Sequence, residues 1–223
     1  MIFSAVYRPT ALFSLRDSNS TSSGAKSLFL PSPYAIKMAF INQAISLDGI
    51  DFQKHPQKFD VIRDLKISYR IDGCFCVNNC FVKIQKRREK EPFKSTVSFR
   101  EYIFLDSDLE LIFETNGIND KEDIISFLKR YLCTINQFGK RGCFFQFVEF
   151  KDNPSAANVI PFEIDKIQGG GILQEFDDFG EKVTFENVNS YSDTKTERIK
   201  KILFLPIQKV SSSKSYTLYK VRQ

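Results

Sequence analysis

The segment LELIFE, residues 109–114, has apolar side chains at Leu109, Leu111 and Phe113 with glutamates beside them. Successive side chains of a β-strand point to opposite faces of the sheet, so this alternation predicts a strand with one apolar face. The segment lies near the middle of the chain, and the patterns on its two sides decide which fold it belongs to.

On the C-terminal side of this strand, the sequence predicts a helix and then another strand. A cap at Asn119 or Asp120 is followed by apolar residues at helical spacing from Ile124 onward. Acidic residues in the first turn complement the helix dipole, and Gly139 is the expected end of the helix. The apolar segment CFFQFVEF, residues 143–150, then predicts a buried strand.

Two extended segments precede the central strand. Residues 97–105 predict one strand, and residues 65–85 predict extended chain with a turn at Asp72-Gly73. The short charged stretch between the two segments therefore predicts a hairpin that protrudes from the fold.

The first helix and the first strand lie further upstream. Ser32 is a good N-cap and Pro33 suits the first helical position, which predicts a helix to about Ile45. Residues 2–15 predict a strand with a bend at Pro9. The resulting order of strand, helix, strand, strand, helix, strand is that of the ferredoxin-like fold, which RRM domains share. We therefore predict an α+β protein.

The chain divides into two predicted parts. Residues 1–153 form an RRM-like domain, and residues 154–223 form a C-terminal β extension packed on it. The segments expected in the extension are residues 159–167, a turn at Gly169-Gly170-Gly171, and strands at residues 182–187, 199–210 and 216–221.

The composition fits a folded protein inside the cell. Hydrophobic residues make up 42% of the 223 residues, and 23 phenylalanines without a tryptophan favour a sheet-rich or mixed core. Five cysteines are an odd number and no signal segment precedes them, which favours a reduced, cytoplasmic location. No apolar run approaches the length of a membrane span, so we expect no membrane partner.

The net charge of +5 is a mild excess, but basic residues are concentrated in the hairpin stretch at residues 83–94. Cations spaced along a hairpin can follow a phosphate backbone, and Phe93 offers a stacking surface for an unpaired base. The alternative is a solvated loop, which charge runs usually are. The candidate RNA-binding residues of this stretch are Lys83, Lys86, Arg87, Arg88, Lys90, Phe93 and Lys94.

A second candidate is the turn Gly139-Lys140-Arg141-Gly142. Glycines let the backbone approach a phosphate closely, and the two cations neutralise it. The alternative is a helix C-cap with solvated cations. A further basic stretch follows Lys195 toward the C-terminus.

Other motifs indicate no cofactor or metal. No Lys-Ser or Lys-Thr follows the triple glycine at residues 169–171, which excludes a P-loop and favours a tight turn. Cys74, Cys76 and Cys80 lack the spacing of a metal knuckle, and the single histidine, His55, is distant. On a strand these three cysteines share one face, where we expect them to be small core residues.

Catalytic patterns are hard to find in this sequence. One histidine cannot supply a histidine pair for acid–base cleavage of RNA, and neither a serine elbow nor a recognisable pair of carboxylates is present. We therefore expect a protein that is not an enzyme. Tyrosine or lysine can act as a general base, so cleavage of RNA without a metal stays open as an alternative.

Three motifs carry a resemblance to a known family. LPSP at residues 30–33, FREY at residues 99–102 and ILFLPI at residues 202–207 are similar to the fifth CRISPR-associated protein family, a member of the RAMP superfamily. That family supplies a subunit of type I Cascade complexes, the ribonucleoproteins of antiviral defence.

The resemblance implies a ferredoxin-like palm with a β-hairpin thumb at about residues 83–98. It further implies that the chain binds the 5′ handle of the guide RNA (crRNA) beside the backbone subunit and the large subunit. Target DNA is then recognised through the complex, by pairing with the guide. On this resemblance Arg16, Lys26, Lys140 and Arg141 lie near the handle.

Two alternatives from other classes remain. One is a metal-independent endoribonuclease that processes CRISPR repeat RNA. The other is an unrelated β-rich interaction protein, which predicts no salt-sensitive binding of RNA.

Overall fold

A computed structural model describes residues 1–20, 24–87, 93–115, 121–166, 169–189, 191–194 and 198–222, and they form a mixed α+β fold, as predicted. The helices are α1 (Pro33–Asp48), α2 (Pro56–Asp64), α3 (Lys121–Leu132) and α4 (Phe185–Val188), with a 3-10 turn at Ile164–Lys166. The strands are β1 (Ile2–Pro9), β2 (Leu15–Arg16), β3 (Gly24–Ala25), β4 (Ser27–Leu28), β5 (Lys66–Arg70), β6 (Cys74–Lys86), β7 (Lys94–Leu105), β8 (Leu109–Glu114), β9 (Phe145–Lys151), β10 (Ile160–Pro161), β11 (Ile172–Phe179), β12 (Arg198–Leu205), β13 (Ile207–Ser212) and β14 (Tyr216–Val221). None of the helices in these ranges is long and apolar enough to cross a membrane.

A four-stranded antiparallel sheet has the order β5-β8-β1-β9 and contains the LELIFE strand as β8. Leu109, Leu111 and Phe113 are fully buried on one face, as their alternation predicts. Helix α3 closes over this face, where the Tyr7 hydroxyl donates to the Leu132 carbonyl over 2.7 Å. The ring of Phe40 on α1 meets α3 in turn, so both long helices lie on the same core.

The opposite face of this sheet is closed by polar groups. The Glu110 carboxylate accepts a hydrogen bond from Ser4 Oγ over 2.7 Å, from the Ser155 amide over 3.0 Å and from Lys151 Nζ over 3.3 Å. Burial raises the pKa of Glu110, but these hydrogen bonds outweigh that effect and hold the pKa below its ordinary value. The segment that carries Ser155 therefore covers the middle of this face.

A five-stranded sheet with the order β13-β14-β6-β7-β3 forms the second layer. Its centre is the hairpin of β6 and β7, which is longer than the predicted residues 83–98 because pairing begins at Phe75 and Leu105. The tip at residues 88–92 lies outside the described residues. Strand β14 extends the hairpin sheet by pairing with β6, so the C-terminal segment contributes to this layer.

The cysteines of β6 are not core residues, so that prediction is wrong. Phe75 and Val77 are the buried residues of this strand, and the cysteines occupy the alternate positions, which point away from the core. Cys74 and Cys76 are half-buried, Cys80 is exposed, and all three are free thiols. Aromatic Phe75 has far more apolar surface to bury than a cysteine, and this difference fixes which face points inward.

Helix α1 begins as predicted and ends later. Ser32 Oγ accepts from the Ala35 amide over 3.2 Å, and the helix continues beyond Ile45 to Asp48. Gly49 then adopts a left-handed conformation with φ of 61°, which ends the helix.

Several other predicted boundaries are wrong. The polar connection expected at residues 55–58 is the start of α2, and α3 ends at Leu132 instead of Gly139. Strand β9 replaces the buried strand expected at residues 143–150, but as an edge strand it buries only Phe145 fully. The first strand stops at Pro9 and does not reach residue 15.

The C-terminal segment differs most from its prediction. The helix α4 begins at Phe185, inside residues 182–187 where a strand was expected, and Thr184 and Asn187 form its capping box. Strand β11 was not predicted, and Pro206 divides the expected strand at residues 199–210 into β12 and β13. The division of the chain into residues 1–153 and 154–223 stays a prediction.

A buried ion pair joins α1 to the sheet of β11 and β12. Lys37 Nζ donates to the Asp178 carboxylate over 2.7 Å and to the Arg63 carbonyl over 2.8 Å. The side chains of Lys37 and Asp178 are almost fully buried. Burial lowers the pKa of Lys37, and the Asp178 carboxylate offsets only part of that effect. Lys201 also donates to Asp178 over 2.9 Å.

We expect Asp178→Ala to lower the free energy of unfolding by about 3 kcal/mol, because it leaves the Lys37 ammonium buried without its counter-ion. Chemical denaturation measures this change. The control Asp152→Ala removes an exposed partner of Lys129 and is expected to cost less than about 1 kcal/mol. Equal losses in the two variants would contradict a buried ion pair that holds α1 on β11.

Candidate nucleic-acid interface

Three segments that are distant in the sequence line one surface pocket of about 350 Å³. Arg16 comes from the segment after β1, Arg100 and Tyr102 come from β7, and Lys140 and Arg141 come from the turn before β9. Three of the cations predicted to lie near RNA, Arg16, Lys140 and Arg141, therefore meet at one place. A concave site with four cations suits a polyanion.

Backbone pairing holds the first segment in place. The Phe13 amide donates to the Ile103 carbonyl over 2.9 Å, and the Ile103 amide donates to the Phe13 carbonyl over 2.8 Å. This pair fixes the neighbours of Phe13 beside β7, on the edge where β3 also pairs. Arg16 is fixed further by its own side chain, which donates to Ser20 Oγ over 3.0 Å and to the Ser20 carbonyl over 2.7 Å.

The glycines of the turn at residues 139–142 are needed for its shape. Gly139 and Gly142 have φ of 66° and 99°, which residues with a side chain rarely adopt. A Cβ at Gly139 would also lie 3.3 Å from the Leu15 side chain. Because α3 ends at Leu132, this turn is not the C-cap of that helix, and the side chains of Lys140 and Arg141 are exposed.

Arg100 and Tyr102 are pocket residues that the sequence analysis missed as a site. They occupy alternate positions of β7 and are half-buried. Both belong to the FREY motif at residues 99–102, whose alternation places the arginine and the tyrosine on one face of a strand. That spacing was the sequence signal that could have identified the two residues as part of one site.

The hairpin carries its predicted residues away from the core. Lys83, Arg87, Phe93 and Lys94 are exposed, and 66% of the Phe93 surface is accessible. Lys86 is the last residue of β6, whereas Arg88 and Lys90 lie outside the described residues. Lys26 is exposed and directly follows β3, which pairs with β7 at Phe99 and Arg100.

Exposed Phe81 is another hairpin residue that the predictions did not include. Its ring meets the Phe99 ring edge-on at 5.7 Å between centroids, and 79% of the Phe81 side chain is accessible. Phe81 and Phe99 form an opposed pair across β6 and β7.

The part of the C-terminal basic stretch that lies on β12 is paired with acids. Arg198 donates to Asp177 over 3.0 Å, Lys200 to Glu175 over 2.5 Å, and Lys201 to Asp178. These acids belong to β11, which the sequence analysis did not recognise as a strand, so the pairing was missed. These three cations on β12 therefore form a row of ion pairs and not an open basic patch.

The triple glycine at residues 169–171 serves packing. Gly169 has φ of 86°, and a Cβ at Gly171 would lie 2.3 Å from the Phe204 ring. The Arg222 guanidinium donates to the Gly170 carbonyl over 3.0 Å. These contacts agree with the tight turn favoured from the sequence.

Comparison with known proteins finds one curated relative. The chain is 28% identical over 194 residues to the CRISPR-associated protein Cas5 of Archaeoglobus fulgidus, and the match covers 82% of this chain and 81% of the relative. This confirms the resemblance carried by LPSP, FREY and ILFLPI. No family model matches the chain.

Two solved structures of CRISPR proteins are also among the matches. A crystal structure of a CRISPR protein from Archaeoglobus fulgidus has a TM-score of 0.49 at 13% identity, covering 100% of this chain and 93% of that chain. The Csm3-Csm4 subcomplex of a type III-A CRISPR-Cas interference complex contains a chain with a TM-score of 0.42 at 13% identity, with the same coverage.

We expect the double variant Lys140→Ala with Arg141→Ala to bind single-stranded RNA more weakly and with less dependence on salt. Each lost phosphate contact reduces the slope of log K against log salt by about 0.7, so two contacts reduce it by about 1.4. Fluorescence anisotropy over a salt series measures the slope.

The matched control is Arg198→Ala with Lys200→Ala, which removes the same charge from the ion-paired row on β12. Its slope is expected to stay that of the unmodified chain. If the control lowers the slope as much as the turn variant, the pocket is not the phosphate-binding site.

Proposed function

We propose that this chain is a non-catalytic RNA-binding subunit of a CRISPR surveillance complex. The observation that carries the proposal is the pocket that joins Arg16, Arg100, Lys140 and Arg141 beside the exposed basic hairpin. The similarity to a CRISPR-associated protein supplies the biological setting.

We infer that the four-stranded sheet with α1 and α3 is the ferredoxin-like palm. Strands β1, β5, β8 and β9 follow one another in the chain as its first to fourth strands, and α1 and α3 occupy the two crossover positions. Their spatial order β5-β8-β1-β9 places the first and third strands in the centre, as that fold requires. The hairpin of β6 and β7 enters between the second and third strands and is then the thumb.

The proposed ligand is the 5′ handle of the guide RNA. Cations in the pocket neutralise phosphates, and those along the hairpin, such as Lys83 and Arg87, follow the strand outward. Phe93 offers a ring on which an unpaired base stacks. In this role the protein caps the guide and starts assembly of its neighbours.

We further propose that the complex is a type I Cascade, in which the partners are the backbone subunit and the large subunit. Target DNA meets the complex through pairing with the guide, and this chain reads no target sequence itself. The RNA and the protein subunits that co-purify with the chain test the type of complex. Recovery of the chain with type III subunits instead would contradict the Cascade assignment.

One observation favours a second function, cleavage of CRISPR repeat RNA without a metal. Tyr102 and Lys140 line the same pocket as the arginines. A tyrosine or lysine can remove a proton from the attacking hydroxyl, while arginines stabilise the charge that develops on the phosphate.

Incubation of the purified chain with repeat RNA and a chelator separates the two functions. We expect intact RNA that is bound in a salt-dependent manner. Metal-independent cleavage that is lost in Tyr102→Phe or Lys140→Ala would replace the non-catalytic proposal.

Replacement of Arg87 and Arg88 by glutamate is expected to weaken guide-complex assembly while the fold stays intact, because repulsion replaces attraction along the thumb. Size-exclusion chromatography with guide RNA and partner subunits measures assembly, and circular dichroism checks the fold. The control Lys54→Glu with Lys182→Glu reverses two exposed charges elsewhere. Unchanged assembly in the thumb variant would remove this segment from the interface.

A further inference from the structure

We propose that the open face of the five-stranded sheet, which carries Tyr102, Phe104 and Tyr216, is a stacking platform for unpaired bases of the bound RNA. This inference rests on the proposed function and adds to it the surface that receives the bases. It concerns the broad face of β14, β6 and β7, and not the hairpin tip.

Strand register places the three aromatic residues on one face. Tyr216 pairs with Asn78, and Asn78 pairs with Tyr102, so these residues form one row across three strands. Residues directly opposite each other in antiparallel strands point to the same face. Phe104 lies two positions beyond Tyr102, roughly 7 Å along the strand, and belongs to the neighbouring row on that face.

The other face of the same sheet is the core face. Phe75 and Ile103 are fully buried there, and the Phe29 ring meets the rings of Phe75 and Tyr219 at 5.3 Å. Two of the platform rings are not used in this packing, since 48% of Phe104 and 37% of Tyr216 are accessible, and the third, Tyr102, is half-buried. An aromatic side chain that the core does not need and that stays open to solvent is available to a ligand.

The charges of this face suit RNA more than an apolar protein partner. Arg100 lies on this face between the platform and the hairpin tip. Lys94 on β7 and Lys220 on β14 occupy positions that point to the same face. The one carboxylate in the three strands belongs to Glu101, which is turned to the opposite face and accepts from the Ser27 amide over 2.9 Å. The platform therefore combines aromatic rings and cations without a carboxylate from these strands.

Continuity with the pocket gives the path of the ligand. Tyr102 lines the pocket and also stands in the aromatic row, so it joins the two surfaces. A strand whose phosphates lie at Arg16, Arg100, Lys140 and Arg141 can turn its bases onto the neighbouring rings. Base stacking on aromatic rings is insensitive to sequence, which suits a subunit that reads no target.

The four-stranded sheet cannot serve this purpose, although RRM domains stack bases on the equivalent face. Ser4, Val6 and Glu110 are buried in the centre of that face. The hairpin sheet supplies the open face that the covered sheet lacks.

The test uses the full chain and a single-stranded RNA that carries 2-aminopurine, a base whose fluorescence falls when it stacks. We expect Phe104→Ala with Tyr216→Ala to bind about thirtyfold more weakly or worse and to lose the fluorescence quenching. The salt slope is expected to stay unchanged, because no cation is removed. Phe104→Tyr with Tyr216→Phe keeps both rings and is expected to restore binding and quenching.

The matched control is Phe162→Ala with Tyr191→Ala, which removes one exposed phenylalanine and one exposed tyrosine elsewhere and is expected to bind normally. Unchanged affinity and quenching in Phe104→Ala with Tyr216→Ala would overturn the stacking platform. If the salt slope still depended on Lys140 and Arg141 in that case, the proposed function would stand. Absence of salt-dependent binding by the unmodified chain would overturn both. Circular dichroism of each variant ensures that a lost fold is not scored as lost stacking.

Discussion

Two backbone hydrogen bonds between Phe13 and Ile103 hold the candidate interface together. They tie the segment after β1 to β7, so that Arg16 lies at the same pocket as Arg100 and Tyr102. The glycine turn at residues 139–142 then adds two cations from the other side. Each of these cations is exposed or half-buried, and the backbone that carries it is held by the core. Such an arrangement can contact phosphates without a rearrangement of the protein on binding.

The two main sheets differ in how far their faces are covered. The four-stranded sheet has α1 and α3 on the side of one face, and the segment around Ser155 covers the middle of the other face. The hairpin sheet buries one face and exposes Phe104 and Tyr216 on the other, and it carries both the basic hairpin and the aromatic row. In the proposed function, the first sheet supplies stability and the second supplies the surface for binding. Their separation explains why replacement of exposed hairpin side chains is expected to spare the fold.

Much of the fold could be predicted because its signals are local. The alternation of LELIFE, the Ser32 cap of α1 and the turn at Gly73 depend only on neighbouring residues, and the structure confirms all three. The missed features depend on distant partners. The ion pairs of β12 require β11, and the face on which the cysteines of β6 lie depends on the core contacts of Phe75. In the same way, Arg100 becomes part of a site only through its neighbours from two other segments.

The central claim is that the glycine turn and the hairpin strands contact one unpaired RNA strand. Ultraviolet cross-linking of the full chain to single-stranded RNA, followed by mass spectrometry of the modified peptides, tests it most directly. We predict that the cross-linked peptides come from β7 and from residues 139–143. Cross-links confined to α1, α2 or the ion-paired row of β12 would contradict the account.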